Sequence, residues 1–189
     1  MTSIAGLILA AGFSRRFGSD KRQAVLSSGE TLLASSLKRV QTALPASWVV
    51  LRPTDDAQAL GVPVEMPVVR SELSEDGLGH SLASGVRAIS EQSTAEALAV
   101  FLGDMPWISP ATLEPLLAAA SAERIVQPTC NGQPGHPVIF GRQFWPDLLA
   151  LRGDVGARSV LHAHADAVLR IEVNDPGVLQ DVDTPAALR

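Results

Sequence analysis

Short apolar runs alternate with amphipathic segments along the first part of the chain. Ile4–Leu9, Trp48–Leu51 and Ala97–Leu102 have the length and continuity of buried strands. Thr31 to about Ala43 repeats apolar residues at helical spacing, and a second helix is expected to open within Gly77–Leu82. This alternation predicts an α/β fold of three layers, in which helices cover both faces of a doubly wound, mostly parallel sheet.

The rest of the chain predicts shorter elements. Ser109 is expected to cap a helix that has Pro110 at its first position and runs to about Ala120. A short strand is expected at Leu179–Asp183, followed by a last helix from Thr184-Pro185. Further strands are predicted at Val62–Val69 (broken by prolines), Arg124–Gln127, Pro137–Phe140 and Val168–Val173, and short helices near Gln143–Leu151 and Ala157–His164.

Composition narrows the class of protein. The chain has 189 residues, 46% of them hydrophobic, which favours one globular domain and excludes disorder as its main state. The net charge of −5 argues against a non-specific nucleic-acid partner. No apolar run reaches the roughly 18 residues of a membrane span, and a lone cysteine permits no internal disulfide. We expect a cytoplasmic protein that binds neither nucleic acid nor membrane.

The loop after the first strand, Gly12–Lys21, has the chemistry of a phosphate site. Glycine lets backbone N–H groups approach phosphate oxygens, and the side chains of Arg15, Arg16 and Lys21 would neutralise their charge. The spacing fits neither a Walker A loop nor the dinucleotide fingerprint. The alternative is an ordinary basic surface loop. The phosphate site is favoured over it, because the glycines and basic residues come directly after a predicted strand.

Two acidic motifs follow predicted strands. Asp104 comes just beyond Ala97–Leu102, where it either binds Mg²⁺ or bonds its own backbone in a turn before Pro106. In an extended segment, Asp181 and Asp183 point to the same side, so one of them is a candidate second metal ligand. The alternative is that this segment only caps a helix. Ligands of such sheets bind beyond the carboxyl ends of the strands, which favours the metal site.

Six motifs in order give the chain a family resemblance. Leu9–Lys21 resembles the L-A-A-G-x-S-x-R-M-G-x-x-K signature of MobA-like nucleotidyltransferases, with Phe17 in place of the methionine. Leu102–Pro106 and Asp181–Pro185 resemble the family's L-G-D-M-P and D-I-D-T-P motifs. At three further motifs, this chain is similar to the branch of the family that contains the molybdenum cofactor cytidylyltransferases. These motifs are Gly77–Leu82, Gly135–Pro137 and Gly153–Arg158.

The resemblance implies a Rossmann-like nucleotidyltransferase fold that transfers CMP from CTP to molybdenum-bound molybdopterin, with Mg²⁺ as cofactor and pyrophosphate as the leaving group. It implies a nucleotide-binding half (about residues 1–106), an acceptor-binding half (about 107–189) and delivery of the product to a molybdoenzyme. Arg16 and Lys21 would be catalytic, and Asp104 and Asp183 would hold the metal. Nucleotide contacts are expected from Leu9, Ala10, Ala11, Gly12, Lys21, Gly79, Ser81 and Asp104, and acceptor contacts from His136, Asp154 and Arg158.

Several alternatives stay open. The same fold could transfer GMP, or act on a sugar or alditol phosphate; Ala10-Ala11-Gly12 favours CTP, because the guanylyl branch tends to have Leu-Ala-Gly-Gly there. A carrier that delivers the finished cofactor is a different class of protein. Such a carrier has no need of two metal carboxylates, and Asp104 and Asp183 therefore argue for an enzyme.

Overall fold

The computed structural model describes residues 2–14 and 17–188. The first half of the chain alternates strands and helices, as predicted. In chain order these are β1 (Ile4–Leu9), α1 (Leu32–Ala43), β2 (Ser47–Leu51), β3 (Val68–Arg70), α2 (Leu78–Gln92) and β4 (Ala97–Leu102).

The second half contains α3 (Pro110–Ala118), β5 (Ile125–Cys130), β6 (Gln133–Pro134), β7 (Val138–Gly141), α4 (Trp145–Leu149), α5 (Arg158–Ala163) and β8 (Val168–Glu172). Single 3₁₀ turns connect several elements, among them Lys21–Gln23, Ser74–Asp76 and Gly153–Val155. Among the described residues, no helix is both long enough and apolar enough to cross a bilayer.

The strands form one mixed, mostly parallel sheet in the order β3-β2-β1-β4-β7-β5, with β6 and β8 both paired to β5. Strands β1, β2, β3 and β4 run parallel, and so do β5 and β8, whereas β7 is antiparallel to both of its neighbours. The predicted fold class is confirmed. Leu9 and Leu102 are partners at the carboxyl ends of β1 and β4, so the loops that follow these strands start side by side.

Alternation along the strands divides the core into two layers. Ile8 of β1 faces one side, where it packs in a cluster with Leu37 of α1 and Leu116 of α3. Leu7 faces the other side, in a cluster with Val86 of α2 and Leu148 of α4. Helices therefore cover both faces of the sheet, as the apolar periodicity predicts.

Some predicted elements are wrong. Leu179–Asp183 is not a strand: a 3₁₀ turn occupies Pro176–Leu179, residues 180–183 are irregular, and only a 3₁₀ turn, Pro185–Ala187, follows them. The carboxylate of Asp175 accepts the Gly177 N–H at 2.9 Å and so starts the turn that includes Leu179. The Val182 N–H then donates to the carbonyl of Asp104, which lies outside the strands of the sheet.

Among the residues that the structure describes, the side chain of Ser109 caps no N–H group at the start of α3. The carboxylate of Asp175 accepts the Ser109 N–H at 2.8 Å and the Thr112 hydroxyl at 2.7 Å instead. A strand is also predicted at Val62–Val69, which prolines interrupt. Only the last two residues of that stretch enter the sheet, as part of β3 (Val68–Arg70).

Candidate active site

The site is a pocket of about 510 Å³ at the carboxyl ends of β1 and β4. The loop after β1 forms one wall, the start of α2 another, and the loop after β4 the floor. Its lining residues are Leu9, Ala10, Ala11, Gly12, Phe13, Ser14, Lys21, Arg22, Ser74, Glu75, Gly77, Leu78, Ser81, Leu102, Gly103, Asp104, Asp154 and Asp183.

Lys21 links the two acidic motifs at the base of this pocket. Its Nζ donates to Asp104 Oδ2 at 2.6 Å and to Asp183 Oδ1 at 3.3 Å. Asp104 and Asp183 lie 83 and 162 positions after Lys21 along the chain, so only the fold brings the three side chains together. The lysine side chain is 15% exposed, so solvent screens these ion pairs only partly.

A backbone hydrogen bond explains why the last acidic motif reaches Asp104. The Val182 N–H donates to the Asp104 carbonyl at 3.1 Å. The Val182 side chain is fully buried in a small apolar cluster with Phe17, Leu26 and Leu32. Carboxylate oxygens of Asp104, Asp181 and Asp183 consequently lie within 4.8 Å of one another.

The electrostatics of this cluster favour a positively charged occupant. Burial alone would lower the pKa of Lys21, but Asp104 and Asp183 outweigh it and raise that pKa. Burial, with Asp183 and Asp104 nearby, raises the pKa of Asp181. The buried Oδ1 of Asp104 has no hydrogen-bond partner among the described residues. Three carboxylates, one of which has an unpartnered oxygen among the described residues, fit a hard divalent cation, which prefers oxygen ligands.

The loop after β1 presents open backbone to the pocket. A Cβ built on Gly12 would meet no atom within 4 Å, so packing within the protein does not require glycine there. Gly18 has a φ of 82°, a left-handed conformation that glycine adopts without strain. Arg16, the other predicted catalytic residue, lies outside the described residues.

Gly79 is required for packing and does not line the pocket. A Cβ on Gly79 would lie 2.8 Å from the carbonyl oxygen of Gly153, and one on Gly77 would lie 2.3 Å from the carbonyl carbon of the same residue. The glycines at the start of α2 thus let the Gly153–Val155 turn dock against the helix. That turn carries Asp154 into the pocket wall.

The other residues predicted to contact the nucleotide lie around the pocket, and their contact with a nucleotide stays a prediction. The segment Leu9–Gly12 and the side chain of Ser81 all line it. Ser81 is only 3% exposed, and its hydroxyl lies 3.4 Å from that of Ser71. The sequence did not single out Ser74, whose buried hydroxyl lacks a partner among the described residues and lies at the same pocket.

The predicted acceptor residues are scattered. Of the three, only Asp154 lines the pocket. His136 is buried, and burial lowers its pKa, although the negative charge of Asp104 acts in the opposite direction. The Nδ1 atom of His136 has no partner among the described residues. Arg158 is exposed at the start of α5 and does not line the pocket as the described residues form it. Acceptor binding by His136 and Arg158 stays a prediction.

A second charged cluster, absent from the sequence-based site, borders the first. The guanidinium of Arg22 lies between the carboxylates of Asp20 and Asp55, at 2.7 and 2.5 Å. Hydrogen bonding to Arg22 lowers the pKa of Asp20, and the same arginine outweighs burial to lower the pKa of Asp55. Nothing in the sequence indicated Asp55 as the partner of Arg22.

Known proteins share this architecture. A crystal structure of the Mycobacterium tuberculosis protein Rv0371c superimposes with a TM-score of 0.84 at 28% identity, covering 98% of this chain and 95% of that one. The same mycobacterial protein has been solved as a complex with manganese, with a TM-score of 0.73 at 24% identity over 91% of this chain and 89% of that one.

Fold and relatives together define an enzyme of the nucleotidyltransferase class. Within that class, residues 6–168 match the MobA-like NTP transferase domain, and the chain belongs to that family. Purine catabolism protein PucB of Bacillus subtilis is 34% identical over an alignment of 194 positions, which covers 96% of this chain and 92% of that protein. A probable molybdenum cofactor guanylyltransferase of Mycobacterium marinum is 32% identical over 192 residues, or 98% and 92%.

Proposed function

We propose that this enzyme transfers CMP from CTP to the terminal phosphate of molybdenum-bound molybdopterin and releases pyrophosphate. The observation that carries the proposal is the ion-paired cluster of Lys21, Asp104 and Asp183 in a pocket beside the open loop at Gly12. A phosphate oxygen of the pterin forms the new bond to the α-phosphorus of CTP, and the bond from that phosphorus to pyrophosphate breaks. Positioning and charge neutralisation carry such a displacement.

The residues of the β1 loop would hold the triphosphate. Backbone N–H groups near Gly12 donate to phosphate oxygens, and the ammonium of Lys21 neutralises charge on the departing pyrophosphate. For this role Lys21 must exchange a carboxylate for a phosphate, which its direct exposure to the pocket permits. Arg16 would assist from the same loop, and Leu9, Ala10, Ala11 and Ser81 would surround the nucleoside.

Asp104, Asp183 and also Asp181 would hold Mg²⁺, because their carboxylates lie within 4.8 Å of one another. The ion would supply charge neutralisation at the phosphates. The manganese complex of the mycobacterial protein supports a divalent metal in this fold. Asp154, which lines the pocket, would contact the acceptor. We propose that His136 and Arg158 act farther along the acceptor half, that a molybdoenzyme receives the product, and that the reaction takes place in the cytoplasm.

Guanylyl transfer is the second candidate, because a relative at 32% identity carries the name molybdenum cofactor guanylyltransferase. Pyrophosphate release with Mg²⁺, molybdenum-loaded pterin and each of CTP, GTP, ATP and UTP separates the two. We expect CTP-selective, pterin-dependent release. GTP selectivity would reassign the branch within the family. Binding of the pterin without release from any nucleotide would favour a carrier.

The choice of nucleotide can be tested at one methyl group. Ala11 lines the pocket at the position where the guanylyl branch tends to have glycine. Ala11→Gly is expected to shift the ratio of kcat/KM for CTP to that for GTP about tenfold towards GTP, since one methyl group in a pocket changes discrimination by roughly 1–3 kcal/mol. Ala10→Gly is the matched control. An unchanged ratio in Ala11→Gly would exclude this residue as the determinant.

A further inference from the structure

Three consecutive carbonyl groups of the β1 loop accept hydrogen bonds from two arginines. Arg22 Nη1 donates to the Ala10 carbonyl at 2.8 Å. Arg52 Nε donates to the Ala11 carbonyl at 3.4 Å, and Arg52 Nη2 donates to the Gly12 carbonyl. These carbonyls therefore all turn towards the arginines.

The N–H groups of the same three peptide units make no hydrogen bond to any described residue. In a trans peptide the carbonyl and the N–H point in opposite directions, so fixing the carbonyls aims the N–H groups of Ala11, Gly12 and Phe13 the other way. Within the described part of the chain, none of these three N–H groups has a hydrogen-bond partner. All three residues line the pocket.

Arg22 itself is not a phosphate ligand, although it lines the pocket. A guanidinium has five N–H donors. Here they meet Ala10, both oxygens of Asp20 at 2.8 and 2.7 Å, and both oxygens of Asp55 at 2.5 and 2.8 Å. With every donor used and the charge neutralised, Arg22 can only hold its neighbours in place.

Asp55 connects the two arginines. Besides its bidentate contact with the Arg22 guanidinium, its Oδ2 accepts the backbone N–H of Arg52 at 2.9 Å. Arg70 Nη1 donates to the carbonyls of Arg52 and Asp55 at 2.9 and 2.7 Å, which fixes this turn. The Arg52 guanidinium also stacks 4.2 Å from the centre of the Phe13 ring. The Asp55 carboxylate thus holds the Arg22 guanidinium directly, and it fixes the backbone from which the Arg52 side chain reaches the other two carbonyls.

We propose that Asp55 is a positioning residue: through Arg22 and Arg52 it orients the N–H groups of Ala11, Gly12 and Phe13 for the nucleotide's phosphates. The proposal rests on the proposed function, since it requires a phosphate in the pocket. It separates the residues that hold the loop from Lys21, which would touch the substrate. Sequence inspection misses Asp55, because it lies in a turn that carries no motif.

Binding of pyrophosphate in the presence of Mg²⁺ tests the proposal without any acceptor. For Asp55→Asn we expect the calorimetric Kd for Mg²⁺-pyrophosphate to rise about tenfold, a change of roughly 1.4 kcal/mol in binding. Asp56→Asn is the matched control and should bind as wild type does, because the carboxylate of Asp56, within the described structure, accepts only the N–H groups of Gln58 and Ala59.

Two further readouts distinguish orientation from loss of folding. In ¹⁵N spectra of wild type, pyrophosphate should shift the amide signals of Ala11, Gly12 and Phe13, and Asp55→Asn should reduce these shifts at saturating ligand. Arg52→Ala leaves the Arg22–Asp55 pair intact and should weaken pyrophosphate binding even if Asp55→Asn does not fold. Arg52→Lys, which keeps one donor group, should restore part of the affinity.

The outcomes separate the two proposals. Wild-type protein that binds neither CTP, GTP nor pyrophosphate would overturn the proposed function, and the positioning role with it. Wild-type binding that Asp55→Asn and Arg52→Ala leave unchanged would overturn the positioning role alone. Weaker binding by both variants, with the control unaffected, would support it.

Discussion

Lys21 and Arg22 are consecutive residues that each contact two carboxylates, yet their surroundings differ. The Lys21 side chain is 15% exposed at the pocket, and its partner Asp104 keeps one oxygen unpartnered among the described residues. Arg22 is 6% exposed, and five hydrogen bonds use every donor of its guanidinium. The lysine cluster is open to a further partner, whereas the arginine cluster is closed.

The difference follows from the chemistry of the two cations. An ammonium is a compact charge that can exchange one oxygen for another, whereas a guanidinium matches carboxylates in a fixed planar geometry. The ammonium of Lys21 lies where phosphate and metal would bind, whereas the guanidinium of Arg22 holds the loop that surrounds them. Removal of a residue from the open cluster should therefore affect turnover, and removal from the closed cluster should affect stability and loop geometry.

The largest effect is expected for Asp104→Asn. A divalent ion supplies several kcal/mol of charge stabilisation in the transition state, so we expect kcat/KM to fall about a thousandfold. Mn²⁺ binding, measured by electron paramagnetic resonance, should weaken in parallel. Glu75→Gln changes an acidic residue of the pocket outside the cluster and is the control. A metal titration like that of wild type would remove Asp104 from the ligand set.

Lys21→Ala should reduce kcat/KM about 100- to 1,000-fold, because one charged donor to a developing phosphate charge is lost. It should not weaken Mn²⁺ binding, since the ammonium that competes for Asp104 and Asp183 is gone. Lys38→Ala is the matched control: Lys38 is the other lysine of the chain, an exposed residue paired with Glu30. Near-normal turnover in Lys21→Ala would exclude this residue from the chemistry.

Much of the open cluster was accessible from sequence. Continuous apolar runs predicted β1 and β4, and the rule that ligands bind beyond the carboxyl ends of strands directed attention to Lys21 and Asp104. The spacing of Asp181 and Asp183 made one of them a candidate ligand, and the family resemblance selected Asp183, although the strand predicted there does not form. Its place next to Asp104 depends on the buried side chain of Val182, not on β pairing.

The closed cluster was not accessible in the same way. Asp55 lies 33 positions from Arg22, in a turn whose composition is that of any polar surface loop. Their pairing depends on the path of the chain after β2, which no local pattern encodes. Gly79 shows a role that sequence did not indicate: its small size lets the backbone of Gly153 dock against α2, and its contact with a nucleotide stays a prediction.

The closed cluster should also govern stability at neutral pH. Arg22 lowers the folded-state pKa of Asp55 below the ordinary 3.8, so Asp55 stabilises the fold above pH 3.8, and this stabilisation is lost as the pH falls through the lowered pKa. At pH 7, Asp55→Asn should lower the free energy of unfolding by about 2 kcal/mol, because Asp20 still neutralises part of the arginine's charge.

Urea denaturation of wild type and Asp55→Asn between pH 7 and pH 3 measures this contribution. The difference between their unfolding free energies should be largest at neutral pH and shrink below pH 3.8. A difference that does not change with pH would mean that Asp55 acts through packing alone, with no part for its charge.

The smallest effect is expected for Asp20→Asn, and it decides whether the closed cluster depends equally on both carboxylates. The Asp20 side chain is 28% exposed, against 9% for Asp55, so water can replace much of what the substitution removes. Asp55 also keeps its bidentate contact with Arg22. We expect the free energy of unfolding to fall by less than about 1 kcal/mol, as for partly exposed ion pairs, with turnover within about twofold of wild type. If Asp20→Asn destabilised the protein as much as Asp55→Asn does, both carboxylates would be equal partners of Arg22, and burial would not be what distinguishes them.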